Sequence, residues 1–321
     1  MTTKPNEWPS VCAVMVNWNQ KSNVLESISS VIQSDYERLT LVVVDNGSQD
    51  GSVEAIRTQF PDVTLLENDT NLGAPIALNQ GMEYALQNGA AYICLMDNDI
   101  SVDRQMVREL VLAAEVDPHI AATGPKMYYH SLPALVWCAG AVIDWRTGDN
   151  IRLQAEQADD GETIDQPKDV DMIPSCAFLI RRDALAKVGL MDHRYFVYYN
   201  DTDWCARATA QGWRIVYVPT ARLWHKVSAT MKSASPATDY YMTRNAFLFL
   251  AKNKHGAEQV RSLLWTAGRD LLAIAAYTAK SHGWHRIPNR NARVLALRDA
   301  LLARWGKMGP DVARVCYPGD R

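Results

Sequence analysis

The residues that most clearly suggest chemistry are two carboxylates separated by one residue, Asp97 and Asp99, which directly follow the apolar run AYICLM. Mg²⁺ and Mn²⁺ prefer oxygen ligands, and proteins usually hold them with one or two carboxylates and the phosphates of a substrate. Carboxylates at this spacing, projecting from the turn after a strand, therefore suit a metal ion that bridges the protein and a diphosphate. The alternative is a helix cap beside a solvated loop acid, which is common for an isolated Asp-x-Asp sequence.

Other candidate side chains also stand at the ends of predicted elements. Asp45 ends the apolar run LTLVVV, where it either accepts a hydrogen bond from a nucleobase or bonds backbone N–H groups in an Asx turn. His225 ends YVPTARLWH and is either a packing residue or a Mn²⁺ ligand beside the carboxylates. Asp201 starts a predicted helix, as an N-cap or as a general base for a hydroxyl group. Trp204 in that helix either offers its face to a sugar ring or packs in the core.

The position of these residues depends on an alternation of short apolar runs and helical patterns. We predict a short strand in VTLLEN, further strands at 11–18, 39–45 and 91–97, and helices at about 22–33, 52–59 and 74–88. This alternation is typical of an α/β fold with a mostly parallel sheet and helices on both faces. Ligands of open α/β sheets bind beyond the carboxyl ends of the strands. The polar clusters NWNQ, DNGSQDG, ENDTNLG and DNDIS should therefore line one cleft.

The remainder of the chain is less regular and then helical. Residues 121–168 contain Gly, Pro and the acidic stretch QAEQADDGETIDQ, which we interpret as a surface loop and as the best candidate for an insertion. From Val170 the pattern predicts a strand that leads into a helix, then a helix at about 201–211 and a strand at RIVYVP. Beyond Ser235 we expect mainly helices.

The composition indicates one large folded domain, or one domain with an appendage. Of the 321 residues, 48% are hydrophobic and 21% are charged, which allows a large core and excludes disorder as the main state. The net charge of −3 gives no overall attraction to nucleic acid, so we expect no nucleic-acid partner. Residues 251–321 differ from the rest because they hold 13 Lys and Arg against 5 Asp and Glu.

The sequence predicts no membrane-spanning or secretory segment. The apolar run at 271–277 is shorter than the roughly 18 residues that cross a bilayer, and MTTKPNEWPS has no basic segment followed by an apolar one. We therefore expect a cytoplasmic protein with reduced, buried cysteines. The basic tail carries apolar residues at near-helical spacing, Leu263, Leu264, Leu271, Leu272 and Ile274. We expect this stripe to pack on the core, with peripheral contact to the inner face of the membrane as the alternative.

Taken together and in this order, these segments resemble the family 2 inverting glycosyltransferases of the GT-A fold, especially the bacterial rhamnosyltransferase-like branch. VMVNWNQ is similar to the family's first strand, VVVDNGSQDGS to its second, NLGAPIALNQG to its third-strand motif and MDND to its DxD sequence. The stretch from CAFLIRRD to WHKVSAT resembles its acceptor half, and the resemblance covers about residues 10–255.

The resemblance implies a domain organisation and a role for each matching residue. A GT-A catalytic domain would occupy 1–250, with a nucleotide-sugar half at about 10–120 and an acceptor half at about 121–250, before a basic helical extension at 251–321. The donor would be bound by Asn17, Trp18, Asp45, Asn71, Gly73 and Asp97. The metal ligands would be Asp97, Asp99 and His225. The catalytic base would be Asp201, and the acceptor would contact Trp204 and Arg244, unless Arg244 forms a structural ion pair.

The activity implied by the resemblance is sugar transfer with inversion, dependent on Mn²⁺ or Mg²⁺. A nucleoside-diphosphate sugar would be the donor, dTDP-rhamnose first and a UDP-hexose second. The acceptor would be a glycan or a lipid-linked acceptor in cell-surface polysaccharide synthesis. Single additions are expected, because Leu301 replaces the Gln of the processive QxxRW motif before Arg304 and Trp305. The oligomeric state, including a homo-oligomer, stays open.

Two alternatives remain at this stage. The family usually has Glu before the base, whereas this chain has Asn200, so a catalytically silent module that binds nucleotide sugars or glycans is the main alternative. Such a module would bind a donor without releasing nucleoside diphosphate. A nucleotidyltransferase on a similar sheet would usually begin with a glycine-rich, basic phosphate loop, and VNWNQKSN has none.

Overall fold

The centre of the fold is a mixed β-sheet. A computed structural model describes residues 8–159, 166–227, 235–279 and 286–318 of the chain. Four parallel strands form one half of the sheet in the spatial order third, second, first, fourth. They are β1 (Val11–Asn17), β2 (Leu39–Asp45), β3 (Thr64–Glu67) and β4 (Tyr92–Met96). Their carboxyl ends share one edge of the sheet, as the sequence predicted.

Helices connect these parallel strands close to the predicted positions. They are α1 (Lys21–Ile32), α2 (Ser52–Gln59) and α3 (Ala74–Gln87). The consecutive residues Val42, Val43 and Val44 of β2 are all fully buried. Because neighbouring side chains of a strand point to opposite faces, both faces of the sheet are covered here, which explains the unbroken apolar run.

The second half of the sheet joins β4 through an antiparallel strand. After β4 the chain forms β5 (Ile100–Val102), α4 (Met106–Glu115), β6 (Ile120–Tyr129), β7 (Leu132–Cys138), β8 (Ala141–Asp144), β9 (Asp149–Arg152), β10 (Lys168–Asp169), β11 (Ala177–Arg181), α5 (Arg182–Val188), α6 (Asn200–Ala210) and β12 (Arg214–His225). β11 pairs antiparallel with both β4 and β6, and β12 pairs parallel with β6 and antiparallel with β5. The end of β12 therefore lies beside the segment that follows β4.

The middle of the chain is more regular than we predicted. Residues 121–168 were expected to be a loop-rich insertion, but β6 lies inside the sheet between β11 and β12. Gly124 of β6 permits a close approach between segments, since a Cβ there would lie 2.2 Å from Ile173 Cγ2. The expectation of an irregular segment was therefore wrong for β6. Of the predicted acidic loop, residues 160–165 lie outside the described residues.

Pro125 has a further effect on the neighbouring strand. β12 pairs with β6 as far as Val218, opposite Pro125, and pairing resumes with Arg222 opposite Lys126. Proline has no N–H group for the ladder, and residues 219–221 of β12 are accommodated in a bulge at this point. After the bulge, β12 continues to His225.

The chain is helical after Ser235, as predicted. The helices are α7 (Pro236–Asn253), α8 (Gly256–Ala279), α9 (Ile287–Leu301) and α10 (Pro310–Cys316). Three of them, α7, α9 and α10, share a small apolar cluster formed by Ala237, Tyr240, Tyr241, Ala292, Ala296, Val312 and Cys316. α7 runs through residue 250, where the sequence placed the end of the catalytic domain. Among the described helices, none has both the length and the apolar character needed to cross a membrane.

One expectation for the tail was wrong. Leu264, Leu271 and Leu272 were expected to pack on the core, but their exposed fractions are 68%, 58% and 73%. Leu263 does pack against the core and is partly buried. The reason is that the fully buried positions of α8 hold polar side chains, Ser262, Thr266 and Asp270.

The close packing of α3 on β1 gives a test of the fold. A Cβ at Gly81 of α3 would lie 2.2 Å from Val14 Cγ1 of β1. We expect Gly81→Ala to lower the free energy of unfolding by about 1–3 kcal/mol, because overpacking outweighs the gain in helix propensity. Gly268→Ala, in α8 with open space around it, is the control and should raise the free energy of unfolding by up to about 1 kcal/mol. Urea unfolding measures both, and an unchanged stability of Gly81→Ala would contradict this packing.

Candidate active site

Three candidate metal ligands meet at the carboxyl edge of the sheet. Asp97 and Asp99 lie between β4 and β5, and His225 is the last residue of β12. Because Ile100 of β5 pairs with His225, this turn and the end of β12 are adjacent. His225 Nε2 lies 3.0 Å from Asp99 Oδ1 and 3.9 Å from Asp97 Oδ2. One ligand atom from each of the three residues lies within 4.8 Å of the other two.

The chemistry of this cluster fits a bound divalent cation. Asp99 and His225 are buried, whereas the Asp97 side chain is 48% exposed. Partial removal from water, together with the nearby Asp99 carboxylate, raises the pKa of Asp97 above its usual range. Burial alone would lower the pKa of His225, but its contacts with Asp99 and Asp97 raise it. Two carboxylates and an imidazole within a few ångströms are a donor set that suits Mn²⁺ or Mg²⁺.

Asp201, the predicted base, lies close to this cluster. Its Oδ2 accepts a hydrogen bond from the Ser175 N–H at 3.0 Å, and its Oδ1 accepts one from the Thr202 N–H at 2.8 Å. Ser175 precedes β11, and the Asp97 N–H donates to the adjacent Cys176 carbonyl at 3.3 Å. Burial raises the pKa of Asp201, although these hydrogen bonds oppose the shift. The Asp201 charge also raises the pKa of Asp97, so the two carboxylates belong to one site.

Two of the predicted donor residues, at the ends of β1 and β2, are bonded to each other. Asn17 Nδ2 donates to Asp45 Oδ2 at 2.8 Å, and Asn98 Nδ2 donates to Asn17 Oδ1 at 2.7 Å. The Ser48 N–H donates to Asp45 Oδ1 at 2.8 Å, so Asp45 closes the turn after β2. Asn17 is 0% exposed and Asp45 is 1% exposed. The turn-forming alternative for Asp45 is therefore present, and neither side chain is open to a nucleobase in this conformation.

The remaining predicted donor residues lie along the same edge. Asn71 Oδ1 accepts hydrogen bonds from Asn46 Nδ2 at 3.1 Å and from the Gly73 N–H at 2.9 Å. Gly73 has a φ of +92°, and a Cβ there would lie 2.6 Å from Phe196 Cδ2. Glycine is therefore needed where the turn before α3 touches the loop before α6. Trp18, directly after β1, is 39% exposed and is accessible to a ligand.

The loop that leads into α6 has a strained backbone. Phe196, Tyr198 and Tyr199 have positive φ angles of 64°, 62° and 66°. The Val197 N–H donates to the Tyr195 carbonyl at 2.8 Å, which closes a tight γ-turn. Strain of this kind persists where surrounding contacts fix the conformation, and it is frequent at functional sites. Tyr199 occupies the N-cap position of α6, so Asp201 lies inside the first turn of the helix and not at its N-cap.

Two neighbouring residues of α7 fix this loop in place. Asn245 Nδ2 donates to the carbonyl oxygens of Tyr195, Val197 and Tyr198 at 3.0, 2.8 and 3.3 Å. Arg244 donates to Asn245 Oδ1 through Nε at 3.2 Å and Nη2 at 3.1 Å. Both side chains are fully buried. The strained loop is therefore tied to the C-terminal helices through a buried polar pair.

Arg244 and Trp204 lie in the core, contrary to the acceptor contacts predicted for them. Arg244 is 0% exposed, and its guanidinium lies 5.1 Å from the ring centroids of both Tyr240 and Tyr241. Trp204 is also 0% exposed, and its Nε1–H donates to the Gly189 carbonyl at 2.8 Å. Neither side chain presents a surface to a ligand in this conformation. The core position considered for Trp204 is the one that is found.

Sequence reasoning did not identify Asn245 and the Ser175 backbone as parts of this site. A signal for Asn245 was present, because the polar pair RN interrupts the apolar segment that continues as AFLFLA. Buried polar side chains must find hydrogen-bond partners, so such a pair predicts a specific contact. The Ser175 N–H gave no signal, because its role depends on the loop before β11 lying beside α6.

Comparison with known proteins identifies the family of the chain. The model of the family described as "Glycosyl transferase family 2" matches residues 12–189, more than half of the chain. N-acetylglucosaminyl-diphospho-decaprenol L-rhamnosyltransferase of Mycobacterium tuberculosis is 26% identical over 302 residues, which cover 88% of this chain and 96% of the relative. The dTDP-rhamnosyl transferase RfbF of Shigella flexneri is 23% identical over 258 residues, which cover 76% of this chain and 81% of the relative.

A solved glycosyltransferase structure has a similar fold. The mannosyltransferase PcManGT from Pyrobaculum calidifontis, in complex with GDP-Man and Mn²⁺, aligns with a TM-score of 0.58 at 16% identity, covering 94% of this chain and 90% of that chain. Likeness at this identity concerns the fold, which is that of the GT-A glycosyltransferases. The family resemblance read from the sequence is thus confirmed. Because the family model spans more than half of it and both named relatives are glycosyltransferases, the chain belongs to glycosyl transferase family 2.

Proposed function

We propose that this glycosyltransferase moves a sugar, with inversion at the anomeric carbon, from a nucleoside-diphosphate sugar to a hydroxyl group of a glycan or lipid-linked acceptor. The observation that carries the proposal is the grouping of Asp97, Asp99 and His225 with Asp201 at one edge of the sheet. The first three residues would hold the metal ion that binds the donor diphosphate, and Asp201 beside them is a carboxylate that can take the proton of the acceptor hydroxyl group.

The residues that would hold Mn²⁺ or Mg²⁺ are Asp97, Asp99 and His225. When bound, the ion would stabilise the negative charge that develops on the departing nucleoside diphosphate. Asp99 and His225 are buried and in contact, so they form a fixed wall of the site, while the more exposed Asp97 is open to the donor. The Mn²⁺ in the mannosyltransferase structure supports this choice of ion.

Asp201 is the proposed general base. It takes the proton of the acceptor hydroxyl group as the hydroxyl oxygen bonds to the anomeric carbon and the bond from that carbon to the diphosphate oxygen breaks. The raised pKa of Asp201 makes its carboxylate a stronger base than that of an exposed aspartate. Hydrogen bonds from the Ser175 and Thr202 N–H groups fix the orientation of the carboxylate. This single displacement inverts the anomeric centre and needs no covalent intermediate.

The donor, acceptor and location are proposed with the help of the relatives. One relative is named as a dTDP-rhamnosyl transferase and the other as an L-rhamnosyltransferase of N-acetylglucosaminyl-diphospho-decaprenol. We therefore propose dTDP-rhamnose as donor, with a UDP-hexose second, and a lipid-linked sugar as acceptor, in the synthesis of a cell-surface polysaccharide. The reaction would take place at the cytoplasmic face of the membrane. Residues 1–250 would form the catalytic domain and 251–321 its extension.

A catalytically silent nucleotide-sugar or glycan binding module is the second candidate, and one observation favours it. Asn200 stands where the resembled family usually has Glu, and it is 4% exposed. Its Nδ2 has no hydrogen-bond partner within the part of the chain that the structure describes. A silent module would bind the donor but leave the bond between sugar and diphosphate intact.

An assay of sugar transfer from dTDP-rhamnose to a lipid-linked acceptor in the presence of Mn²⁺ tests the proposal, and the released dTDP is the quantity measured. We expect Asp99→Asn to lower turnover at least about 100-fold and to weaken Mn²⁺ binding, because a charged ligand is lost. Asp201→Asn should lower turnover by roughly 10²–10⁴-fold while donor and Mn²⁺ still bind, because only the base is lost. The matched control is Asp62→Asn. Asp62 is exposed and precedes β3, so it lies at the end of that strand opposite to the candidate site.

Calorimetry with Mn²⁺ and the nucleotide sugars separates the two candidates. Binding of a donor with no release of nucleoside diphosphate, across dTDP-, UDP- and GDP-sugars and a panel of acceptors, would support the silent module and contradict transfer. Wild-type turnover by the folded Asp201→Asn variant would reject this residue as the base.

The strained loop before α6 gives a separate test of how Asp201 is positioned. Asn245→Asp keeps the oxygen that accepts from Arg244 but removes the amide group that donates to the three loop carbonyls. We expect turnover to fall at least about tenfold with unchanged Mn²⁺ affinity, because α6 shifts while the metal ligands lie on other elements. Asn88→Asp, the same change at an exposed position after α3, is the control. If folded Asn245→Asp protein turned over at the wild-type rate, the loop would not position the base.

A further inference from the structure

Helix α8 has its polar and apolar faces reversed relative to a helix that packs on a core. Its fully buried residues are polar and lie four residues apart, Ser262, Thr266 and Asp270. Five of its large apolar residues are 55% to 73% exposed, namely Val260, Leu264, Trp265, Leu271 and Leu272. An amphipathic helix of a globular protein normally turns its apolar stripe to the core. We call these five exposed residues the outer face of α8.

Specific contacts on the inner side fix this orientation. Ser262 Oγ donates to the Trp145 carbonyl at 3.0 Å, and Thr266 Oγ1 donates to the Arg146 carbonyl at 3.3 Å, both in the turn between β8 and β9. Asp270 is fully buried and pairs with Arg293 of α9 at 2.8 Å. A rotation of α8 that buried its exposed leucines would break these two hydrogen bonds and would separate Asp270 from Arg293. The outer face is therefore a built feature of the fold.

The outer face is continuous, apolar and free of negative charge. At 100° per residue, its five residues fall within an arc of about 140°. Gly268 lies within this arc with open space around it. The exposed Arg261 also lies within it. The acidic residues of α8 are Glu258, in the first turn, and the buried Asp270.

We propose that the outer face of α8 lies on the surface of an anionic phospholipid bilayer, with the helix parallel to the membrane plane. Apolar side chains would enter the boundary between headgroups and acyl chains, where Trp265 would find both apolar and polar surroundings. The charge of the segment suits negative headgroups, because residues 251–321 hold 13 Lys and Arg against 5 Asp and Glu. The described helices do not meet the requirements for spanning a bilayer, so the contact is peripheral.

The proposed membrane face is connected to the acceptor side of the active site. Arg269 of α8 forms an ion pair with Asp149 of β9. The next residue, Asn150, donates through Nδ2 to Thr202 Oγ1 at 2.6 Å, and Thr202 follows the proposed base, Asp201. One hairpin thus links the helix on the bilayer to the residue that would activate the acceptor. The use of this docking, delivery of a lipid-linked acceptor, rests on the proposed function, whereas the docking itself does not.

Sedimentation with vesicles tests the docking without donor or acceptor. We expect the wild-type protein to bind vesicles of phosphatidylcholine mixed with phosphatidylglycerol, and to bind phosphatidylcholine alone more weakly. The double variant Leu264→Ser/Leu272→Ser should lose at least about tenfold in apparent affinity, because two apolar side chains no longer enter the bilayer. The matched control is Ile32→Ser/Val116→Ser, which removes apolar side chains of 53% and 82% exposure from other elements. Its vesicle binding should equal that of the wild type.

Three results would overturn the proposal. They are no binding to the anionic vesicles, an equal loss in both double variants, or a dimer in light scattering that Leu264→Ser/Leu272→Ser dissociates while vesicles are not bound. In the last case the outer face would belong to a second copy of the chain. Failure here is distinguishable from failure of the proposed function. A protein that transfers sugar to a soluble acceptor without binding vesicles contradicts only the docking, and one that binds vesicles without transfer contradicts only the activity.

Discussion

The constraint on which the rest of the structure depends is that three carboxylates, Asp97, Asp99 and Asp201, stand together at one edge of the sheet. Each raises the cost of ionising its neighbours, as the raised pKa of Asp97 records. Partly buried carboxylates are tolerated only where hydrogen bonds or opposite charges compensate them. Asp99 has the His225 imidazole at 3.0 Å, and Asp201 has two backbone N–H groups. The antiparallel strand β11 and the register of β5 against β12 bring these partners into place.

The turn before α3 and the loop before α6 constrain each other through backbone contacts. The Ala74 N–H at the start of α3 donates to the Phe196 carbonyl at 2.8 Å. The Phe196 ring leaves no room for a side chain at position 73, which is occupied by Gly73. Phe196 in turn belongs to the strained loop that Asn245 holds from α7. Asn245, far along the chain, therefore helps to set the shape of the turn before α3. The carboxyl edge of the sheet therefore takes its shape from segments that are distant in the sequence.

The sequence predicted the parts of this structure that depend on local pattern. The parallel strands, their connecting helices and the polar strand ends follow from hydrophobic periodicity, and the grouping of Asp97, Asp99 and His225 follows from a resemblance whose motifs lie in register. The position of β6 was missed, because Gly124 faces Ile173, a contact between segments distant in sequence. The core position of Arg244 was missed, because its partners are tyrosine rings and backbone carbonyls brought near only by the fold.

The orientation of α8 was missed for a similar physical reason. A leucine-rich helical pattern indicates which side chains share a face, but it does not say which face turns inward. That choice is made here by Ser262 and Thr266, whose hydroxyl groups bond carbonyl oxygens of a turn more than a hundred residues earlier in the chain. Local polarity gives no information about such partners.

The bulge at residues 219–221 of β12 makes the position of His225 beside Asp97 and Asp99 sensitive to chain length as well as to residue type. Side chains alternate between the two faces of a strand, so a shift of one residue in the pairing after the bulge would turn His225 to the opposite face. The strand would keep its apolar alternation and its place in the sheet, but the imidazole would leave the two carboxylates. An insertion or deletion in this short segment would therefore keep His225 beside the two carboxylates only if the bulge itself absorbed it, whichever amino acids occupy the segment.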